Sequence, residues 1–400
     1  MSVAEADVRA HVQAHATRLW DLALALHRDP ETAFDEHRAV ERLCAELAEF
    51  DIERGVAGLP TAFTARHGSG PGPTVALLLE YDALPGLGHA CGHNLIAAAG
   101  LGAALAVRDA LPDPGGTLLV VGTPAEEGGG GKITEVNHGV FDEVDAALMF
   151  HPGAHDWAWA PLTAQVELTV TVHGRAAHPT GNPTEGIDAL AGLIQLFTTI
   201  AAVRPRLPAG SHIQGIITHG GEATNIVPDR AQARFGLRAL TTAALDELAA
   251  TVSAMAHAVA AATGTTTTIA REREPYHHFR NSSVLADRFA AHLAEDGIVL
   301  TEPAPGVFLG SSDIGNVSTV VPAIHPFVAI VGPDESDHTP QFATAAASDR
   351  GRATMLAAAG ALAGTAVDVF REPALRDAAW AELREAGRRF PETPAGTALA

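Results

Sequence analysis

The segment His89-Ala90-Cys91-Gly92-His93-Asn94 places a thiol and two imidazoles within five consecutive positions. It follows Glu80-Tyr81-Asp82 and a Pro-Gly turn, and Glu126-Glu127 and further isolated histidines come later in the chain. Thiolate, imidazole and carboxylate groups are the ligands that zinc and neighbouring divalent ions take in proteins. Several such groups in series predict a metal centre.

The elements that must position these groups are stretches of apolar residues typical of buried parallel strands. The predicted strands are residues 74–79, 117–121, 144–150 and 323–331. The predicted helices around them are residues 5–28, 36–50, 94–110 and 342–368. This alternation predicts an α/β domain with a mostly parallel sheet flanked by helices. Each candidate side chain follows one of the strands, and such sites form at the carboxyl ends of strands, so we expect the side chains to converge.

The candidate metal ligands share a donor type and a place just after a strand. They are Cys91, His93, Glu127, His151 and His338. Five ligands exceed one tetrahedral site, so we expect two divalent ions, with zinc as first choice and manganese or cobalt as alternatives. Glu126 is then available to take a proton from water, and Asp82 to orient a ligand. His89 receives no role.

The pattern changes near residue 163, where polar and apolar residues begin to alternate as in half-exposed strands. Strands are predicted at 165–172, 212–218, 231–240 and 265–270, with helices at 186–203 and 242–262. This β-α-β-β-α-β order is that of ferredoxin-like α+β domains. We therefore expect a catalytic domain of residues 1–162 and 277–400, interrupted by an inserted domain of residues 163–276.

Composition limits the function further. The formal charge is −21 over 400 residues, which argues against nucleic-acid binding because phosphate contacts need basic residues. Only Cys44 and Cys91 are cysteines, so no disulfide framework is expected. The chain has no run of 18 or more apolar residues, so no membrane span is predicted, and its first residues lack the features of a signal peptide. We expect a cytoplasmic protein that binds no membrane.

These motifs together resemble the co-catalytic metallopeptidases of the aminoacylase and carboxypeptidase G type. More narrowly, they resemble the amidohydrolase branch that includes p-aminobenzoyl-glutamate hydrolase and a β-alanyl-lysine-type dipeptidase. The matching motifs run along nearly the whole chain. They are His27-Arg28-Asp29-Pro30-Glu31, Glu80-Tyr81-Asp82 to His93-Asn94, Pro124-Ala125-Glu126-Glu127-Gly128-Gly129, His151-Pro152, His173-Gly174-Arg175-Ala176-Ala177-His178-Pro179, Asn225-Ile226-Val227-Pro228-Asp229, Gly310-Ser311-Ser312-Asp313 and His338-Thr339-Pro340.

The resemblance implies that the inserted domain forms a homodimer and that Glu126 is the general base. It also implies that His178 reaches the site of the partner subunit and steadies the oxyanion. Asn225 and Arg238 match positions that hold the carbonyl and carboxylate of the substrate, and a guanidinium suits a carboxylate. The wider family has His-x-Asp at the position of Glu80-Tyr81-Asp82, and Cys91 with His93 compensates for that missing ligand.

The sequence therefore predicts a metal-dependent amidohydrolase or peptidase. Its expected substrate is an N-acyl amino acid, an aminobenzoyl-glutamate-like compound or a dipeptide, hydrolysed by metal-activated water with Glu126 as base. Two alternatives stay open at this point. In one, Cys91 is the nucleophile of a cysteine amidase. In the other, the chain is a non-catalytic relative that binds acyl amino acids.

Overall fold

A computed structural model describes residues 3–308 and 310–389, and these form two compact units. The first unit contains residues 3–162 and Phe279–Arg389, and the second is Thr163–His278. The helices are α1 Val3–Arg28, α2 His37–Glu46, α3 His93–Ala110, α4 Gly131–Asn137, α5 Ala189–Val203, α6 Thr242–Thr263, α7 Ser283–Ala294, α8 Ile314–Ser318, α9 Pro340–Ala345, α10 Asp349–Arg371 and α11 Pro373–Arg389. The strands are β1 Asp51–Arg54, β2 Phe63–His67, β3 Thr74–Glu80, β4 Thr117–Thr123, β5 Ala146–Leu148, β6 His151–Gly153, β7 Ala164–His173, β8 His212–His219, β9 Arg230–Ala239, β10 Thr266–Arg271, β11 Ala323–Ile324 and β12 Phe327–Ala329.

The first unit is built on a six-stranded sheet of order β1-β2-β4-β3-β5-β11. The pairs β4-β3, β3-β5 and β5-β11 are parallel, and the hairpin β1-β2 adds an antiparallel edge. Every residue of β3 is buried, as expected for a strand covered on both faces. The carboxyl ends of β3 and β4 are therefore neighbours, which brings the residues after them together.

Helix α3 packs against β3, α1 and α10 and is buried from His93 to Val107. Its glycines allow this close packing. A Cβ atom at Gly100 would lie 2.7 Å from Leu79 Cδ1, and one at Gly102 would lie 2.7 Å from Leu19 Cδ1. The small residues of α3 thus let the helix lie directly on the central strand that leads into the candidate site.

Three predicted elements differ from the structure. The predicted strand 323–331 is two short strands, because β11 pairs with β5 whereas β12 pairs with β6, and Pro326 between them has no N–H to donate. The predicted strand 144–150 is reduced to β5, and His151 begins β6. The predicted helix 342–368 is two helices, since the Ser348 side chain accepts a hydrogen bond from Gly351 N–H and starts α10 anew.

Helix α10 is long and apolar enough to cross a membrane by length and composition alone. In the structure 89% of its most apolar window is buried. It packs against α1, α3 and α7 within the first unit. It is therefore a core helix of that unit.

The second unit has four antiparallel strands in the order β10-β7-β9-β8, with the connections β7-α5-β8-β9-α6-β10. Alternate residues of β9 are buried and pack against α5 and α6. This is the ferredoxin-like arrangement expected from the sequence. The unit extends to His278, where the sequence predicted residue 276, because His278 Nδ1 accepts a hydrogen bond from Thr242 N–H at 3.1 Å.

Candidate metal centre

Gly92 determines how the first two predicted ligands are presented. It has φ of 79° and precedes α3, so that Cys91 ends the loop after β3 and His93 begins the helix. A Cβ atom at Gly92 would also lie 2.5 Å from Pro152 Cγ. Glycine is needed here both for the left-handed backbone and for the close approach. Both ligand side chains are buried as a result.

The pair Glu126 and Glu127 follows β4 in a turn whose first residue, Ala125, also has a positive φ, of 60°. Alanine rarely adopts this conformation, so surrounding contacts must hold it. Ala125 N–H donates to Oε1 of the buried Glu36 at 2.8 Å, and Ala125 O accepts hydrogen bonds from Gly129 N–H and Gly130 N–H, both at 2.8 Å. The turn is therefore fixed before any ion binds.

Hydrogen bonds orient the two buried imidazoles. His151 Nδ1 donates to Pro152 O at 2.6 Å, which leaves the Nε2 lone pair facing Cys91 Sγ at 3.5 Å. His93 Nδ1 lies 3.0 Å from Asp82 Oδ1, and the other oxygen of Asp82 accepts from Glu127 N–H at 2.9 Å. Within the described part of the chain, His93 Nε2 is buried with no hydrogen-bond partner, as expected of a ligand atom awaiting an ion.

The last predicted ligand, His338, reaches the centre from the loop before α9. Its N–H donates to Ala90 O at 2.9 Å, and its Nε2 lies 3.3 Å from Glu127 Oε1. Like Ala125, it is a non-glycine residue with positive φ, here 55°. About half of the side chain is exposed, so this predicted ligand lies at the open side of the cluster.

All five predicted ligands come together. Three overlapping groups have ligand atoms within 4.8 Å of one another: Cys91, His93 and His151; Cys91, Asp337 and His338; and His93, Glu126 and Glu127. Because Cys91 and His93 each belong to two groups, the donor set suits two neighbouring divalent ions better than one. Asp337 is an additional carboxylate that the sequence pattern did not single out.

Burial and neighbouring charges set the protonation of these groups. Burial, then Glu80, Glu127 and Asp313, hold the pKa of Glu126 well above its usual range. Burial and then His93 lower the pKa of His151, so its imidazole is neutral and able to bind an ion. Burial holds the pKa of the Cys91 thiol well above its usual range. The thiol therefore needs a bound cation to become a thiolate.

Comparison with known families matches residues 76–361 to the peptidase family M20/M25/M40. The chain belongs to this family. Its M20 relatives are metal-dependent hydrolases, so the chain is a metal-dependent amidohydrolase or peptidase, as its sequence predicted. The donor set described above fits the centre that such a hydrolase needs.

Several relatives of the M20 family cover nearly the whole chain. The chain is 38% identical over 392 residues to the Xaa-Arg dipeptidase of Mus musculus, covering 92% of this chain and 89% of that protein. It is 29% identical over 440 residues to one of the subunits of the p-aminobenzoyl-glutamate hydrolase of Escherichia coli, covering 91% of each. The solved structure of a dinuclear metal-binding M20 peptidase from Bacillus subtilis has a TM-score of 0.70 and 22% identity, covering 90% of this chain and 99% of that one.

The three remaining predicted site residues of this M20 chain lie in the second unit. His178 and Asn225 are exposed on loops, and Arg238 is half-buried on β9. The side chain of Arg238 is on the face of the sheet that α5 and α6 leave open, since the alternate residues Leu237 and Ala239 are buried. These residues are accessible to a ligand, and their part in the site stays a prediction.

The structure adds three buried charged residues that the sequence pattern did not assign to the site. Lys132 Nζ lies 2.5 Å from Glu80 Oε1 and 2.7 Å from Asp313 Oδ1. Burial opposes the charge of Lys132, but Asp313 and Glu80 outweigh it and raise its pKa. One sequence signal could have pointed to this ion cluster. Lys132 is the single lysine among the 26 basic residues of the chain.

Gly92→Ala should lower both metal content and stability, because the added methyl group meets Pro152 and displaces Cys91 and His93. Gly86→Ala is the matched control, since Gly86 has φ of 74° in the same loop but nothing within 4 Å of an added Cβ. We expect the control to lose about 1–2 kcal/mol from backbone strain and to keep its metal. Thermal unfolding and elemental analysis check this, and equal metal loss in both variants would contradict it.

Glu36→Gln should reduce the loss of stability at alkaline pH. Burial raises the Glu36 pKa from 4.5 to about 7, so the folded state prefers the protonated acid. The protonated acid contributes about 3 kcal/mol to the free energy of unfolding. This contribution is complete below pH 4.5 and is lost as the pH rises through 7. Glutamine keeps an acceptor for Ala125 N–H and stays neutral.

Urea unfolding at pH 5 and pH 8 in the presence of chelator measures this difference. We expect Glu36→Gln to be more stable than the wild type at pH 8 only. Asp35→Asn is the control, because Asp35 is an exposed neighbour. An identical pH dependence in wild type and Glu36→Gln would refute the role of Glu36.

Proposed function

We propose that the protein is a dipeptidase with a two-ion centre in its first unit. The observation that carries the proposal is that the five predicted ligands meet two further carboxylates, Glu126 and Asp337, at the ends of β3 and β4, the start of β6 and the loop before α9. The similarity to the Xaa-Arg dipeptidase makes dipeptides with a carboxy-terminal arginine the first substrates to test. Aminobenzoyl-glutamate is the second, from the Escherichia coli relative.

The ligands in this proposal are Cys91, His93, Glu127, His151 and His338. When bound, the two ions polarise the substrate carbonyl and lower the pKa of water. Zinc is the proposed metal because Cys91 supplies a soft thiolate and His93 and His151 supply imidazoles, with manganese or cobalt as alternatives. Asp82 keeps His93 in place through its 3.0 Å contact.

Glu126 is the proposed general base and acid. Its Oε2 lies 4.0 Å from His93 Nε2, so it borders the ligand set. It takes the proton of the attacking water and then delivers it to the leaving amine nitrogen, which lets the amide bond break. Its neighbour Glu127 faces His338, which leaves Glu126 for the proton transfer.

The geometry disfavours the two alternatives. A nucleophilic Cys91 would have to become a thiolate, but burial holds the pKa of its thiol well above the usual range, even with His93, whose pKa is raised, beside it. A binding protein without activity would have no use for a buried carboxylate beside the ligands, and Glu126 is present. Inactivation by iodoacetamide with indifference to chelator would favour the cysteine amidase.

We further propose a homodimer formed by the second unit, in which His178 serves the site of the partner subunit. Thr180 N–H and Gly181 N–H donate to His178 Nδ1 at 3.2 and 3.0 Å, so the proton is on Nε2. An exposed Nε2–H is a suitable donor for an oxyanion. Asn225 and Arg238 are proposed to hold the substrate carbonyl and carboxylate.

The surface of the second unit supports this association. Strand β8 is at the edge of its sheet and carries the exposed apolar residues Ile216 and Ile217, and Ile194 is exposed on α5. Exposed apolar side chains on an unpaired edge strand are typical of an interface. Both cysteines are unpaired thiols, which supports the proposed cytoplasmic location.

Glu126→Gln should lower kcat by about 10²–10⁴ while metal content stays at the wild-type level, because the base is lost but the ligands remain. Glu127→Gln is the matched variant, and we expect it to lose metal as well as activity. The measurements are elemental analysis and hydrolysis of Xaa-Arg dipeptides, N-acyl amino acids and p-aminobenzoyl-glutamate. Chelator should abolish the wild-type activity, and zinc, manganese or cobalt should restore it. A wild type inactive on the whole panel would sink the proposal.

His178→Ala subunits and Glu126→Gln subunits, each inactive as homodimers, should regain activity when co-expressed. In a mixed dimer, the site with an intact Glu126 receives His178 from the other subunit. If His178 instead serves its own subunit, neither site of the mixed dimer is complete and activity stays absent. Activity of the purified mixed dimer, with its mass from light scattering, decides between the two.

A further inference from the structure

Lys132 is the only lysine of the chain, and the other 25 of its 26 basic residues are arginines. It is also fully buried. An ammonium is a compact point charge, whereas a guanidinium is a wide planar group with five donors. All the remaining basic positions of the chain are arginines, so its one compact cation lies inside the first unit, in the first turn of α4.

The contacts of Lys132 are with two buried carboxylates. Its Nζ lies 2.5 Å from Glu80 Oε1 and 2.7 Å from Asp313 Oδ1, and its backbone N–H donates to Asp313 Oδ2 at 3.0 Å. All three side chains are at most 1% exposed. Buried charges must be compensated by close partners, and these two carboxylates share a single ammonium.

Glu80 connects this cluster to the metal centre. While its Oε1 contacts Lys132, its Oε2 lies 3.6 Å from His93 Nε2. Glu126 Oε2 lies 4.0 Å from the same nitrogen. The proposed base and Glu80 thus flank one ligand atom, and Lys132 holds the far oxygen of Glu80. No other element supplies a buried ammonium, since the chain has no second lysine.

We propose that Lys132 is a positioning residue of the metal centre. It is a permanent internal cation that fixes the Glu80 carboxylate beside His93 and Glu126 and prevents the Glu80–Asp313 pair from binding a further divalent ion. The inference rests on the proposed function for the two-ion centre. Without the ammonium, two adjacent buried carboxylates would attract a cation from solution, and Glu80 would turn toward it and away from its place beside His93.

The test compares Lys132→Met with the wild type by equilibrium dialysis against zinc or manganese and by steady-state kinetics. We expect the variant to bind one more divalent ion per subunit than the wild type. We also expect kcat to fall on the order of 10²-fold with KM little changed, because a displaced Glu80 disturbs the alignment of Glu126 rather than substrate binding. A purely structural lysine would not raise the metal stoichiometry.

The double variant Lys132→Met/Asp313→Asn is the matched control, because it removes one charge of each sign. We expect it to return to the metal stoichiometry of the wild type. If Lys132→Met binds the same number of ions as the wild type, with unchanged kcat, the inference is wrong while the proposed function stands. If the wild type binds no divalent ion, the proposed function itself fails.

The wild-type protein offers a second test that needs no substitution. Growth with 15N- and 13C-labelled lysine gives one 15Nζ signal, because the chain has one lysine. We expect that signal to be shifted from the position of an exposed lysine and to move when divalent ions are added to metal-free protein. A signal at the position of free lysine, unmoved by zinc or manganese, would overturn the proposal.

Discussion

The first unit holds several carboxylates close together in its interior, and its stability depends on compensating their negative charge. Glu80, Asp82 and Asp313 are nearly fully buried, and the side chains of Glu126 and Glu127 are about a tenth exposed. Like charges this close in a poorly polarisable interior repel strongly, and desolvation adds to the cost. Divalent ions offset both terms, so metal binding and the stability of this unit are linked. Burial, then Glu80, Glu127 and Asp313, hold the pKa of Glu126 well above its usual range for the same reasons.

The backbone that holds these carboxylates is correspondingly rigid. Strands β3 and β4 are adjacent in the centre of the sheet, so their carboxyl ends are neighbours. Asp82, which follows β3, accepts a hydrogen bond from the N–H of Glu127, which follows β4. Residues with a left-handed backbone occur at Gly92, between the predicted ligands Cys91 and His93, at Ala125, which precedes the Glu126-Glu127 pair, and at His338 itself. Such conformations persist only when neighbouring contacts fix them. The ligand atoms are therefore placed by the sheet and its turns, and side-chain movement contributes little.

The sequence predicted the type of reaction better than it predicted the buried residues that support the site. Cys91, His93 and Glu127 could be predicted as ligands because each follows an apolar strand and carries a recognisable donor, both of which are local signals. Glu36 and Lys132 act through partners distant in sequence, Ala125 and Glu80, and only the folded chain brings them together. The stretch 323–331 was predicted as one strand because apolar runs do not reveal which sheet they join. Its halves pair with β5 and β6.

The division into two units explains why the sequence predicts the type of reaction more directly than the substrate. Every proposed metal ligand and the proposed base belong to the first unit, where burial and charge restrict which residue types are tolerated at each position. The proposed substrate contacts Asn225 and Arg238 and the donor His178 belong to the second, on a loop or an open sheet face. Exposed loop residues such as His178 and Asn225 tolerate substitution better than buried ones, so changes there can alter the substrate without disturbing the centre. A family with one reaction and many amide substrates is the expected consequence of that separation.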